Sequence, residues 1–110
     1  WSRSHGTMPS MVHAGTYSAV MHYLKAVKAA NSIDSDAVMA KMREMPVNDF
    51  AFKNGTIRPD GVHDHAMYLF QVKTPKESKR AWDYYKQLAV IPKGKAFQPL
   101  EEVDCPLLKK

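Results

Sequence analysis

The chain of 110 residues contains a single cysteine, Cys105, so it can form no internal disulfide and offers no paired-thiol metal motif. Glycine is scarce as well. The five stand apart at 6, 15, 55, 61 and 94, which excludes both the Gly-x-Gly-x-x-Gly dinucleotide loop and the Walker-type phosphate loop. No apolar run approaches the roughly 20 residues that span a bilayer, and the first residues carry no secretory h-region. Internal repeats and low-complexity tracts are absent. No Ser/His/Asp set, paired carboxylates or His-Glu-x-x-His motif can be placed, so the residues themselves carry no case for an enzyme. Cys105 sits in Asp-Cys-Pro without a neighbouring histidine and is a poor nucleophile.

The composition that remains, 45% apolar and 25% charged, is that of an ordinary globular protein. The chain starts at Trp1 rather than at methionine, and we read it as part of a longer protein. The net charge is +5, and residues 73–110 hold nine basic against five acidic side chains, so four of the five excess charges lie there. Lys73, Lys76, Lys79, Arg80 and Lys86 run beside Trp82, Tyr84 and Tyr85, the mixture that a small basic nucleic-acid-binding module would use. The plainer reading is the solvated face of one helix.

Residues 1–15 read as a loop, an extended Ser10 to Ala14 and a turn at Gly15. Tyr17, Val20, Met21, Leu24 and Val27 then recur at helical spacing, with Thr16 as N-cap and Asn31 closing the helix after Ala30. A second helix is capped by Asp34 or Ser35, turns Ala37, Val38 and Met42 inward, and is stopped by Pro46. Asn54-Gly55 and Asp60-Gly61 are hairpin dipeptides that bracket a short strand. Met67 to Lys73 is the clearest strand. Its two mostly apolar faces predict cover on both sides, as in an α/β sheet, with most of that sheet's strands lying outside this chain. Glu77 to Leu88 reads as a helix or helical turn, and the remainder as an irregular tail.

His63-Asp64-His65 is the most conspicuous polar cluster. In an extended segment both imidazoles point to one side and could begin a zinc site, but no further ligands are at hand. The expectation is therefore a solvated hairpin shoulder. Asp49, Asp60 and Asp64 all stand where aspartate caps backbone groups of turns.

The order and spacing of several segments go beyond single motifs. Gly15-Thr16-Tyr17-Ser18-Ala19-Val20 leads a helix, Asp34-Ser35-Asp36-Ala37-Val38 opens another, and Asn54 to Gly61 and Met67 to Lys73 follow. Together with Trp82-Asp83-Tyr84-Tyr85-Lys86, Ile91-Pro92, Ala96-Phe97 and Cys105-Pro106-Leu107, this resembles the C-terminal part of the branched-chain amino acid (Leu/Ile/Val-type) family of ABC transporter substrate-binding proteins. The resemblance covers nearly the whole chain. It implies an α/β fold, with residues 1–110 forming the C-terminal segment of a type I periplasmic binding fold, a clamshell of two lobes. It further implies a periplasmic, non-enzymatic solute-binding component that closes on a small ligand such as an amino acid, amide or aromatic acid. The implied partners are that ligand, the ABC permease membrane subunits and the remainder of the same protein upstream of Trp1, with no nucleic acid and no cofactor or metal. Val12, His13 and Tyr17 are the residues that the resemblance sets at the cleft. Any disulfide partner of Cys105 would lie upstream.

Overall fold

The computed structural model describes residues 6–106 and 108; the loop expected over the first five residues and the Leu107 of the tail motif lie outside the described residues. The chain runs through helix α1 (Met11–Ala30), helix α2 (Ser35–Glu44), strands β1 (Thr56–Ile57), β2 (His63–Asp64), β3 (Met67–Val72) and β4 (Tyr85–Ile91), and a 3-10 turn at Leu100–Glu102.

Helix α1 starts at Met11, five residues before Thr16, and no strand or turn interrupts residues 11–15. Ser10 is the N-cap: its backbone N–H donates to Nδ1 of His13 at 3.1 Å, and its hydroxyl lies 2.9 Å from the same nitrogen. His13 at the third helical position thus takes the part that Glu or Gln plays in a capping box. Gly15 and Thr16, read as a turn and a cap, are absorbed into a helix of 20 residues, where one glycine costs only about 1 kcal/mol. The far end is as expected. Asn31 adopts the left-handed conformation, at φ 48°, and its N–H bonds to the Lys28 carbonyl. In α2 the Asp34 carboxylate accepts from the Ala37 N–H at 3.0 Å, and the helix ends at Glu44, two residues before Pro46.

The helices meet through small and polar groups. Ser18, His22 and Ala26 form the buried side of α1, and His22 Nε2 donates to the Met42 carbonyl at 2.8 Å. Val38 of α2 is buried, with Ala37 and Met42 half-buried beside it. The stripe of Tyr17, Val20 and Leu24, by contrast, is exposed.

Strands β1 and β2 form an antiparallel pair, Thr56 opposite Asp64 and Ile57 opposite His63. Arg58 braces this hairpin: it pairs with the Asp60 carboxylate and donates through Nη1 to the Gln98 carbonyl at 2.7 Å. The tail wraps back over it, with the Gly94 N–H donating to buried Asp64 at 3.1 Å.

The expected helix over 77–88 does not form. Two short turns, after Thr74 and after Arg80, stand in its place; Trp82 takes a left-handed φ of 64°, and the chain then extends into β4, which pairs antiparallel with β3. Tyr85, Leu88, Val90 and Ile91 suit a pleated surface, and partnership with β3 overrides the helix formers before them. The register shifts by one residue between Leu69 and Phe70, where Leu88 is the extra residue of a bulge. Nor is β3 covered on both sides among the described residues: there it pairs with β4 alone, and both strands are exposed along their whole length.

Ala26, Val38 and Val47 are the buried apolar residues among those described. The radius of gyration is 17.3 Å, against the roughly 13 Å of a compact domain of this length. A chain with so little interior and so many open apolar faces requires other polypeptide surface to cover them.

Candidate functional site

The three residues expected at a ligand cleft stand in the first two turns of α1. At about 100° per residue, His13 and Tyr17 share one helix face and Val12 points about 100° away from His13. The structure thus aligns His13 with Tyr17 and sets Val12, 68% exposed, to one side. His13 is also committed to the Ser10 cap, which fixes its ring against the helix start.

Tyr17 meets a residue that sequence reasoning missed. Its ring stands edge-on to Phe50, with centroids 4.9 Å apart and planes at 63°. Phe50 is 71% exposed, so packing alone does not hold it in place. The loop around it does. The hydroxyl of buried Ser18 donates to one oxygen of Asp49, and the other oxygen accepts the N–H groups of Ala51 at 2.7 Å and Phe52 at 2.9 Å. Lys25 Nζ donates to the Asn48 carbonyl at 2.8 Å. Burial pushes the Asp49 carboxyl up, but the Ser18 hydroxyl, the two backbone N–H groups and nearby Lys25 outweigh it and hold Asp49 below the usual carboxylate range. The turn-capping expectation for Asp49 is borne out; the tie to Ser18, and through it the placement of Phe50, has no local sequence signal.

The result is an aromatic shelf beside the N-terminus of α1, a helix with no acidic residue in its first turn. Unpaired N–H groups at such an end carry partial positive charge, and an aromatic edge provides apolar contact. Together they suit a small molecule with a carboxylate and an apolar side chain.

The His63-Asp64-His65 segment is not a solvated shoulder. Phe52, His63, His65 and Phe97 stack in sequence, with centroid separations of 4.9 Å for Phe52–His63, 4.7 Å for His63–His65 and 5.4 Å for His65–Phe97. Asp64 is buried. His63 Nε2 is buried without a hydrogen-bond partner and faces Gly55. No group of three or more His, Cys, Asp or Glu among the described residues could hold a metal ion. Burial, reinforced by the nearby His65 and His22, pushes the His63 imidazole below its usual pKa. Because the folded form resists the proton that the unfolded form accepts near pH 6.5, stability is expected to fall as pH drops below that value. Urea unfolding at pH 7.5 and 5.5 should show this loss, and His63→Leu should reduce it.

Cys105 is half-buried and forms no disulfide among the described residues. Among the described residues, the seven basic residues from Lys73 onward are divided between the β3–β4 hairpin and the segment after it rather than gathered on one helix face.

Residues 1–80 match the family described as periplasmic binding protein. Two crystal structures resemble the chain over almost its full extent. One is a periplasmic binding protein from Burkholderia mallei, 50% identical, with a TM-score of 0.92 over 98% of this chain. The other is a branched chain amino acid ABC transporter periplasmic ligand-binding protein from Burkholderia xenovorans, 40% identical, with a TM-score of 0.88 over 96% of this chain. A comparison with curated proteins finds no match. The chain spans 28% of the length of each of the two structures. Helices, hairpins and tail all follow the course they take in a larger α/β protein, and the chain belongs to the periplasmic binding protein family.

Proposed function

We propose that this chain forms part of the solute-binding component of an ABC importer, and that residues around the start of α1 line its ligand cleft. The family is a class of solute-binding rather than catalytic proteins, and the xenovorans relative is named for branched chain amino acids. The observation that carries the reading to particular residues is the Tyr17–Phe50 shelf beside the capped helix start. The ligand carboxylate lies near the first turn of α1, its apolar side chain rests against Tyr17, and His13 flanks it. A histidine in that place widens the ligand class from branched-chain amino acids to other amino acids, amides and aromatic acids. Closure of two lobes around the ligand then produces the form delivered to the permease.

Calorimetric titration of the complete protein with a panel of amino acids, their amides and aromatic acids tests this. Tyr17→Ala is expected to weaken the preferred ligand by at least about tenfold, since loss of an aromatic contact is worth about 1.5 kcal/mol or more. A protein that binds none of the panel, or whose affinity is untouched by both Tyr17→Ala and His13→Ala, would contradict the reading.

A further inference from the structure

The β3–β4 hairpin packs against no other element among the described residues, and its base joins the body at Ala66 and Pro92. Six residues of strand carry its tip about 20 Å from that base. The tip is basic: residues 73–86 contain Lys73, Lys76, Lys79, Arg80 and Lys86 against Glu77 and Asp83.

Both carboxylates are occupied within the tip. Asp83 pairs with Lys73 at 2.7 Å and accepts the Lys79 backbone N–H at 3.1 Å, while Glu77 accepts both the N–H and the hydroxyl of Thr74 at 2.8 Å. These bonds hold Asp83 and Glu77 ionised, and they turn both acids onto the hairpin itself. Among the described residues, no carboxylate pairs with Lys76, Lys79, Arg80 or Lys86. A hollow of about 700 Å³ opens beside them, lined by Lys73, Ser78, Lys79, Arg80, Tyr84 and Tyr85. Trp82 is held at the tip in the left-handed conformation, a backbone cost that a bulky side chain seldom bears, and it stays 38% exposed.

Cations with no carboxylate at ion-pair distance, around an exposed Trp and two exposed tyrosines, match the interfacial layer of an anionic bilayer, where lysine and arginine meet phosphates and amphipathic rings sit at headgroup level. We infer that the tip of the β3–β4 hairpin is a docking surface for the phosphate headgroups of an anionic lipid membrane. In a periplasmic protein this would hold the molecule near the membrane independently of its ligand. Charge complementarity selects lipid over neutral surfaces, and the aromatic trio selects an interface over a dissolved ion.

Co-sedimentation of the complete protein with phosphatidylglycerol-containing vesicles, compared with pure phosphatidylcholine vesicles, tests the inference. Binding is expected only to the anionic vesicles, to weaken with added salt, and to drop by about tenfold or more in the triple variant Lys76→Gln, Lys79→Gln, Arg80→Gln. Trp82→Ala should weaken it independently of salt. Unchanged thermal unfolding and ligand titration in these variants would separate the result from misfolding and from the solute-binding reading. Equal binding to both vesicle types, binding unaffected by the triple variant, or retention on an oligonucleotide without vesicle binding would overturn it.

Discussion

Gly55→Ala is expected to destabilise the complete protein by about 2 kcal/mol, within the range for overpacked interiors. A methyl group at this position would stand 2.2 Å from His63 Nε2 and 3.0 Å from Cδ2 of the same ring. A long flexible side chain could swing aside, but this imidazole is held between Phe52 and His65. Gly55 cannot retreat either. Its N–H donates to the Val47 carbonyl at 3.1 Å, and its carbonyl accepts from the N–H of buried Val47 at 2.8 Å. The cause is close approach of backbone to ring, so His63→Ala in the same molecule should recover most of the loss. Equilibrium urea unfolding of the two single variants and the double variant gives that interaction energy directly. A Gly55→Ala protein as stable as the wild type would show that the ring is not pressed against the backbone.

Asp49→Ala is expected to cost about 2 kcal/mol and to weaken ligand binding as well. The substitution strands the hydroxyl of buried Ser18 and the N–H groups of Ala51 and Phe52, and buried donors left without acceptors are costlier than the bonds themselves. Water can reach part of the loop, which keeps the cost from summing over all three. The second effect follows from geometry: with the loop released, Phe50 no longer stands against Tyr17. Asp49→Asn retains one acceptor oxygen and should lose less stability. The acid limb separates charge from shape. The folded-state pKa of Asp49 is depressed, so its contribution is fully present above the unfolded value of about 4 and is lost as pH falls through the folded value. Unfolding free energies between pH 5 and 3 should decline more steeply in the wild type than in Asp49→Asn. Parallel slopes would mean that the carboxylate's charge plays no part.

Local chemistry made much of the fold readable. The Asp34 cap, the stop at Pro46, the left-handed Asn31 and strand β3 each depend on residues within a few positions, and each stands where expected. The start of α1 was not readable because Gly15-Thr16 imitates a turn and a cap, whereas the true cap employs a histidine where glutamate or glutamine is usual. Strand β4 was missed for a different reason. Its identity is settled by pairing with β3, a non-local choice that outweighs the helix-forming residues just before it. The candidate site divides the same way. His13 and Tyr17 share a face by periodicity alone, but Phe50 reaches Tyr17 on a loop tied to the helix by the Ser18–Asp49 bond, which joins positions 31 residues apart.

The extra residue at Leu88 works as a phase inverter for the outer half of the hairpin. Below the bulge Tyr68 faces across to Val90, and above it Phe70 and Val72 lie opposite Gln87 and Tyr85. Counting past Leu88 is what carries Tyr85 onto the side of Tyr68 and Phe70, whose ring centroid it approaches to 6.1 Å, and sends Lys86 to the opposite side beside Gln71. Were Leu88 paired in register opposite Phe70 instead of bulged, Val72 would face Lys86 and the two residues would exchange sides, since a shift of one position reverses every side chain beyond it. The bulge at one aliphatic residue in mid-strand therefore decides which surface of the hairpin carries Tyr85 and which carries Lys86.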